Sequence, residues 1–169
     1  IEPKLVKGPD VLVSALERLR VEAPELHVLL TGPARGYVRR ELERRGIPHV
    51  HVLVRTREEL ARAYHALDVY LVASRQEGGP KAVLEAMAAG VPLVTTRVGQ
   101  APDLVAHAVN GWLVEVEDAE GLAAGAARVR EGVDESVRDA GRATAEAHAH
   151  ERLDGLWAGL LEGFVERVG

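Results

Sequence analysis

Hydrophobic period changes repeatedly along this chain, and that change limits the folds open to it more than any other feature. Short apolar runs at residues 26–31, 49–54, 69–73 and 91–95 alternate with longer stretches in which apolar residues return every three or four positions. Strand and helix segments in strict alternation are the signature of an α/β fold. Runs as uniformly apolar as VYLVA at 69–73 and VPLVT at 91–95 suit strands covered on both faces, as in a parallel sheet, better than a half-exposed antiparallel one. The expected architecture is a parallel sheet of about five or six strands with helices on both faces, followed by C-terminal helices.

Local signals place the boundaries. Pro9 in a first-turn position, followed by Val11, Leu12, Ala15, Leu16 and Leu19 on one face, predicts a helix that ends before Pro24. Gly32-Pro33 turns the chain into a charged helix that reaches about Arg45 and is stopped by Gly46 and Pro48. Thr56 with Glu59 three residues on forms a capping box, opening a helix with Leu60, Ala63, Tyr64 and Leu67 inward. Residues 74–80 read as a loop, 81–89 as a short helix closed by Gly90, and 103–108 as another short helix. The turn Asn110-Gly111 then leads to a strand at 112–114. From Asp118 the pattern is helical, broken at Gly132 and near His150, and its last part puts Leu153, Leu156, Trp157, Leu160, Leu161, Phe164 and Val165 on one stripe.

Composition narrows the function. A length of 169 residues suits one domain, residues 1–169, with a true core. The net charge of −5 argues against a general affinity for nucleic acid or an anionic membrane surface, so any polyanion site must be local. The absence of cysteine removes disulfides, thiolate metal sites and thiol nucleophiles together and fits a reducing, cytoplasmic setting. No apolar run approaches the ~18–20 residues of a membrane span. The start at Ile1, inside what reads as a loop, suggests a piece of something longer. His49 and His51 share a strand face and His148 and His150 lie near a helix end, but neither pair has a third ligand, so no metal site is expected. Ser74 has no visible base partner for a triad.

The segment SRQEGGPKAVLEAMAAGVP, residues 74–92, is the densest candidate for chemistry. It follows an apolar strand and opens a helix, which is where doubly wound sheets bind ligands. Gly78 and Gly79 let backbone N–H groups approach an oxygen-rich ligand, and the helix start adds partial positive charge for a phosphate. Glu85, about one turn into the helix, can accept two hydrogen bonds from a vicinal diol such as a ribose, while Glu77 in the loop can accept from sugar hydroxyls. The plainer alternative is a glycine-rich helix start with two solvated glutamates. A glycosidase pair is rejected, because those carboxylates must flank one bond and these two sit on different sides.

Glu77, seven intervening residues and Glu85, within EGGPKAVLEAMAAGVPLV, resemble the donor-sugar-nucleotide motif of retaining GT-B glycosyltransferases. Lys7-Gly8 ahead of the first helix is similar to that family's Lys-Gly pair. LARAYHALDVYLVAS at 60–74, Val98-Gly99 before Asp103, and NGWLV at 110–114 resemble the segments that flank its motif. The resemblance implies a Rossmann-like C-terminal, donor-binding half whose N-terminal acceptor half is missing from this chain. It also implies transfer from a UDP- or GDP-sugar with retention of configuration, no cofactor and no obligatory metal, with membrane association only through the missing half. Lys7 and Glu77 would be catalytic, Lys7 at the diphosphate and Glu77 at the sugar. Glu85 would hold the ribose, with Gly78, Gly79, Pro80, Lys81 and Ala82 at the phosphates or sugar and Val54, Arg55 and Leu60 near the base. The first strand looks cut short, and Glu2 stands where the family tends to keep a diphosphate-binding Arg. Lys4, Arg75 or Lys81 are the possible substitutes, and Lys4, Lys7 and Lys81 are the only three lysines among 21 basic residues. Two rivals stay open: a sugar-nucleotide epimerase half on the same plan, and a non-catalytic nucleotide-binding module.

Overall fold

A computed structural model describes residues 5–79 and 81–149. After a 3₁₀ turn, Leu5–Lys7, the chain runs α1 (Pro9–Glu22), β1 (Val28–Thr31), α2 (Gly36–Arg44), β2 (His49–Val52), α3 (Arg57–His65) and β3 (Tyr70–Val72). It continues through α4 (Lys81–Ala88), β4 (Leu93–Thr96), α5 (Ala101–Leu104), β5 (Trp112–Val114), α6 (Ala119–Glu131) and α7 (Glu135–Ala147). All strand pairs are parallel. β1 pairs with β2 from Val28 opposite His49 to Thr31 opposite Val52. β4 lies between β3 and β5, with Tyr70 opposite Leu93 and Val94 opposite Trp112.

Helices cover both faces, as the alternation requires. On one face Val11, Ala15 and Leu19 of α1 pack with Leu122, Ala126 and Val129 of α6 over Val94 and Trp112. The same helix reaches α2 through Val13, Leu16, Val38 and Leu42 over Leu30. On the other face Tyr64 of α3 joins Val83, Ala86 and Met87 of α4, Leu104 of α5 and Leu93. Leu42, Met87, Leu93 and Leu122 are essentially fully buried, each contributing about 1.5–3 kcal/mol of burial free energy. β4 is buried at all four residues, as a central strand should be.

The capping box forms as read: the Thr56 hydroxyl accepts from the Glu59 N–H at 3.1 Å, and the Glu59 carboxylate accepts from the Thr56 N–H at 3.2 Å. Three expectations are corrected. The helix read at 103–108 is instead α5, ending at Leu104, because the Asn110 side chain takes the backbone groups that a longer helix would use. Its amide donates to the Leu104 carbonyl at 3.0 Å and its oxygen accepts from the Ala106 N–H at 2.9 Å. The strand read at 49–54 stops at Val52, since its partner β1 turns away at Gly32, which has a φ of 78°. The single sheet is two parallel ladders, β1-β2 and β3-β4-β5, because no strand among the described residues joins β1 to β3. The break near His150 and the stripe from Leu153 to Val165 lie outside the described residues.

One glycine fixes how the chain enters this frame. Gly8 precedes α1 with φ 55°, and a Cβ there would penetrate the carbonyl oxygen of Ala73 at the end of β3. Backbone meets backbone, so no side chain can move aside. Gly8→Ala is expected to cost about 3 kcal/mol or more from left-handed strain and overlap together. Urea unfolding of the variant against the parent, with unchanged m, measures it.

Candidate active site at the carboxyl ends of the strands

The Gly8 contact sets the 3₁₀ turn directly over the loop that follows β3. The Val6 carbonyl accepts from the Arg75 N–H at 2.8 Å, which leaves Lys7 beside the loop's acidic residue. Lys7 Nζ lies 2.5 Å from Glu77 Oε1, and the hydroxyl of buried Ser74 donates to the same oxygen at 2.8 Å. Ser74 is itself held, its carbonyl accepting from Thr96 Oγ1 at 2.6 Å. Glu77 therefore has a fixed carboxylate at the carboxyl edge of the sheet, shared between an ammonium and a hydroxyl.

From the other side the loop rests on the segment after β4. Gly99 has φ 53°, and a Cβ there would come within 2.5 Å of the carbonyl oxygens of Glu77 and Gly78. The Gln100 N–H donates to the Gly78 carbonyl at 3.3 Å. A Cβ on Gly78 would meet nothing within 4 Å, so its outer side is open space. α4 begins at Lys81, directing its positive end toward that space.

A cavity of about 470 Å³ opens here, lined by Lys7, Ser74, Glu77, Gly79, Lys81 and Ala82 over a floor from β1 and β3. Pro80 lies outside the described residues. Arg35 also lines it, its Nε donating to the Thr31 carbonyl at 2.7 Å. Sequence reasoning missed this cation. Its signal was position: four residues beyond the last residue of β1, at the ligand-binding edge of a parallel sheet. Three cations against one carboxylate make a local positive site in a chain of net charge −5.

Glu85 is placed differently. Its carboxylate accepts from the hydroxyl of buried Tyr64 at 2.9 Å, and the ring of Tyr64 lies 5.4 Å from that of Tyr70 in a tilted contact. Burial, chiefly, pushes the Tyr64 hydroxyl well above its ordinary value, so it remains a proton donor. Glu85 is exposed and does not line the cavity. Of the residues expected at a base, Leu60 lines a separate apolar cavity along β1 and β3, and neither Val54 nor Arg55 lines either cavity. The Arg55 N–H instead donates to Glu59 at 2.7 Å.

Arg75 is corrected as a site cation. Its guanidinium binds both oxygens of Asp10 at 2.8 and 2.7 Å, the Leu5 carbonyl at 2.8 Å, and the Glu117 carboxylate. That fork ties α1 to the segment after β5 and turns away from the cavity; it also holds the Asp10 carboxyl below its ordinary value. The histidines have backbone partners: His51 Nε2 is 2.7 Å from the Gly32 carbonyl and His49 Nδ1 3.1 Å from that of Ile47. Among the described residues no three His, Asp or Glu side chains converge on a metal position.

Residues 2–131 match the family model described as glycosyl transferases group 1. The chain belongs to the group 1 glycosyl transferases. A D-inositol 3-phosphate glycosyltransferase of Segniliparus rotundus is 32% identical over 94% of this chain and 38% of its own length. The chain spans about a third of the length of the curated relatives it matches. Among solved structures, HepE of Anabaena in complex with UDP and glucose superposes with a TM-score of 0.80 at 21% identity, over 96% of this chain and 47% of that one. The C-terminal domain of a group 1 family protein from Francisella tularensis superposes with a TM-score of 0.72 at 18% identity, over 85% of this chain and 80% of that one. At such identities the likeness speaks for the fold: this group 1 chain has the α/β architecture of a GT-B C-terminal domain, as expected from EGGPKAVLEAMAAGVPLV.

In this group 1 domain the buried Tyr64 gives a pH signature. A phenol whose folded value is raised contributes stability that is present below its unfolded value of 10.0 and is lost as pH rises above it. Thermal stability should therefore fall as pH rises above about 10, and Tyr64→Phe should flatten that decline. Scanning calorimetry of both proteins at several alkaline pH values measures the difference.

Proposed function

We propose that this chain is the donor-binding half of a glycosyltransferase that moves a sugar from a nucleoside-diphosphate sugar to an acceptor with retention of configuration. The observation that carries the reading is the cavity at the carboxyl edge of parallel strands where Lys7, Glu77 and the start of α4 converge. A diphosphate suits the positive side of that cavity. Lys7, Arg35 and Lys81 supply the cations, and the first turn of α4 supplies N–H groups, a preorganised field for charge that develops on the leaving group. Arg35 takes the place of the missing Arg at Glu2. UDP, bound by the HepE neighbour, is the first nucleotide to test.

In this reading Glu77 holds hydroxyls of the transferred sugar and Lys7 leaves its carboxylate for the diphosphate. Glu85, oriented by Tyr64, holds the ribose diol. Acceptor binding falls to an N-terminal domain, and the setting is cytoplasmic. Holding both reactants together is worth about 7–11 kcal/mol, which half a cleft cannot supply, so the isolated chain should fold and bind donor weakly without transferring sugar.

Two titrations on each of two variants test the assignment. Glu85→Gln should weaken UDP binding about tenfold or more, the loss of a charge-assisted hydrogen bond. Glu77→Gln should leave UDP affinity nearly unchanged and remove the extra affinity of the sugar-bearing donor. Calorimetry with UDP and with UDP-glucose reads both. Equal losses for both ligands in both variants would overturn the separation of roles.

A further inference from the structure

Arg75 sits in the loop after β3, beside the site but turned from it, and every donor on its side chain is committed. A guanidinium carries five N–H groups in a rigid fork. Nε and Nη2 donate to the two oxygens of Glu117, and Nη1 and Nη2 donate to the two oxygens of Asp10. The remaining N–H of Nη1 donates to the Leu5 carbonyl at 2.8 Å. Backbone of the same loop completes the grip, since the Arg75 and Gln76 N–H groups both donate to the Val6 carbonyl, at 2.8 and 3.3 Å. Both carbonyls ahead of Lys7 are therefore held by residues 75 and 76. Gly8, packed on Ala73, anchors the turn on the other side of Lys7. The Lys7 side chain is half exposed, and its ammonium has one ion-pair partner among the described residues, Glu77. Where that ammonium points is set by the turn that carries it.

Stability alone does not account for this fork. Its two carboxylates are 46% and 56% exposed, and exposed ion pairs as a class stabilise a fold little. One of them also comes at a backbone cost. Glu117 has φ 70°, a left-handed conformation that a residue with a Cβ keeps only where its surroundings hold it. We propose that Arg75 is a positioning residue for Lys7. With Asp10 as its anchor on α1 and Glu117 as its anchor after β5, it fixes the 3₁₀ turn and so stands the Lys7 ammonium at the edge of the cavity, where a diphosphate would meet it. What Lys7 meets there rests on the donor reading, whereas its placement by Arg75 rests on the contacts themselves. The task calls for arginine, because a lysine has three donors on one nitrogen and cannot span two carboxylates and a carbonyl together.

The ratio of UDP to UMP affinity, measured by calorimetry, isolates the second phosphate from the nucleoside. Lys7→Met should lower that ratio about tenfold, the loss of a charge-assisted contact. Arg75→Gln and Arg75→Lys should each lower it by a comparable factor, with UMP affinity within about twofold of the parent. Arg75→Gln added to Lys7→Met should lower it no further, because both act through one ammonium. A merely structural role would weaken both ligands together and leave the ratio where it was. An unchanged ratio in the Arg75 variants beside a lowered one in Lys7→Met, or losses that add in the double variant, would overturn the proposal. An unchanged ratio in Lys7→Met instead overturns the diphosphate role of Lys7, and amide exchange then decides the placement. In Arg75→Gln, exchange at the Gly8 and Gln76 amides should quicken about tenfold, while exchange over Leu93–Thr96 of β4 stays as in the parent. Unaltered exchange at Gly8 and Gln76 overturns the placement whatever the ratio does.

Discussion

The close approach of Gly8 to the Ala73 carbonyl is the constraint on which the rest of the carboxyl edge depends. Because no Cβ intervenes, the 3₁₀ turn can lie on the loop after β3, and the Arg75 N–H reaches the Val6 carbonyl. That contact puts Lys7 within 2.5 Å of Glu77, and it also brings Asp10, in the first turn of α1, to the Arg75 guanidinium. One backbone contact thus sorts the cations. Lys7 faces the cavity, and Arg75 is drawn into a structural fork with Asp10, Glu117 and a carbonyl. Gly99 repeats the device from the β4 side, so the loop carrying Glu77 and Gly78 is clamped between two backbones before any ligand arrives.

The two glutamates of the motif show why equal residue types need not have equal surroundings. Glu77 is held by an exposed ammonium and a buried hydroxyl. Glu85 is held by a phenol that stays protonated, itself packed against Tyr70 and the α4 core. A neutral donor orients a carboxylate without neutralising it. Glu85 thus has a neutral donor for its partner, whereas Glu77 is half of an ion pair. The difference arises one layer below the site, in what α3 and the 3₁₀ turn bring to each carboxylate.

Much of this was legible in sequence because it is set by local rules. The capping box at Thr56 and Glu59, the prolines and glycines at helix ends, and the uniformly apolar β4 are properties of adjacent residues. The EGGPKAVLEAMAAGVPLV segment pointed to the place of the cavity for the same reason: strand, glycine loop and helix start follow one another in the chain. What escaped depends on residues far apart. Arg35 enters the cavity because β1 lies where it does, and Arg75 leaves it because Asp10 and Glu117, 65 and 42 residues away, arrive beside it. Likewise the helix read at 103–108 was shortened by the Asn110 side chain, which competes for backbone groups that a periodicity argument assigns to the helix.

The break between the two ladders unites these points. A switch point in a doubly wound sheet works because the strands on either side send their following helices to opposite faces, opening a crevice at the carboxyl edge. Here α1 and α2 cover one face and α3 and α4 the other, so the change of face falls at the break between the ladders. Lys7 comes from the side whose helix is α1, while Glu77 and the start of α4 come from β3 on the other. The ion pair joins the two, and Leu29 and Leu71, on the strands at the break, are half-buried. The cavity therefore lies over β1 and β3, the two strands at the break.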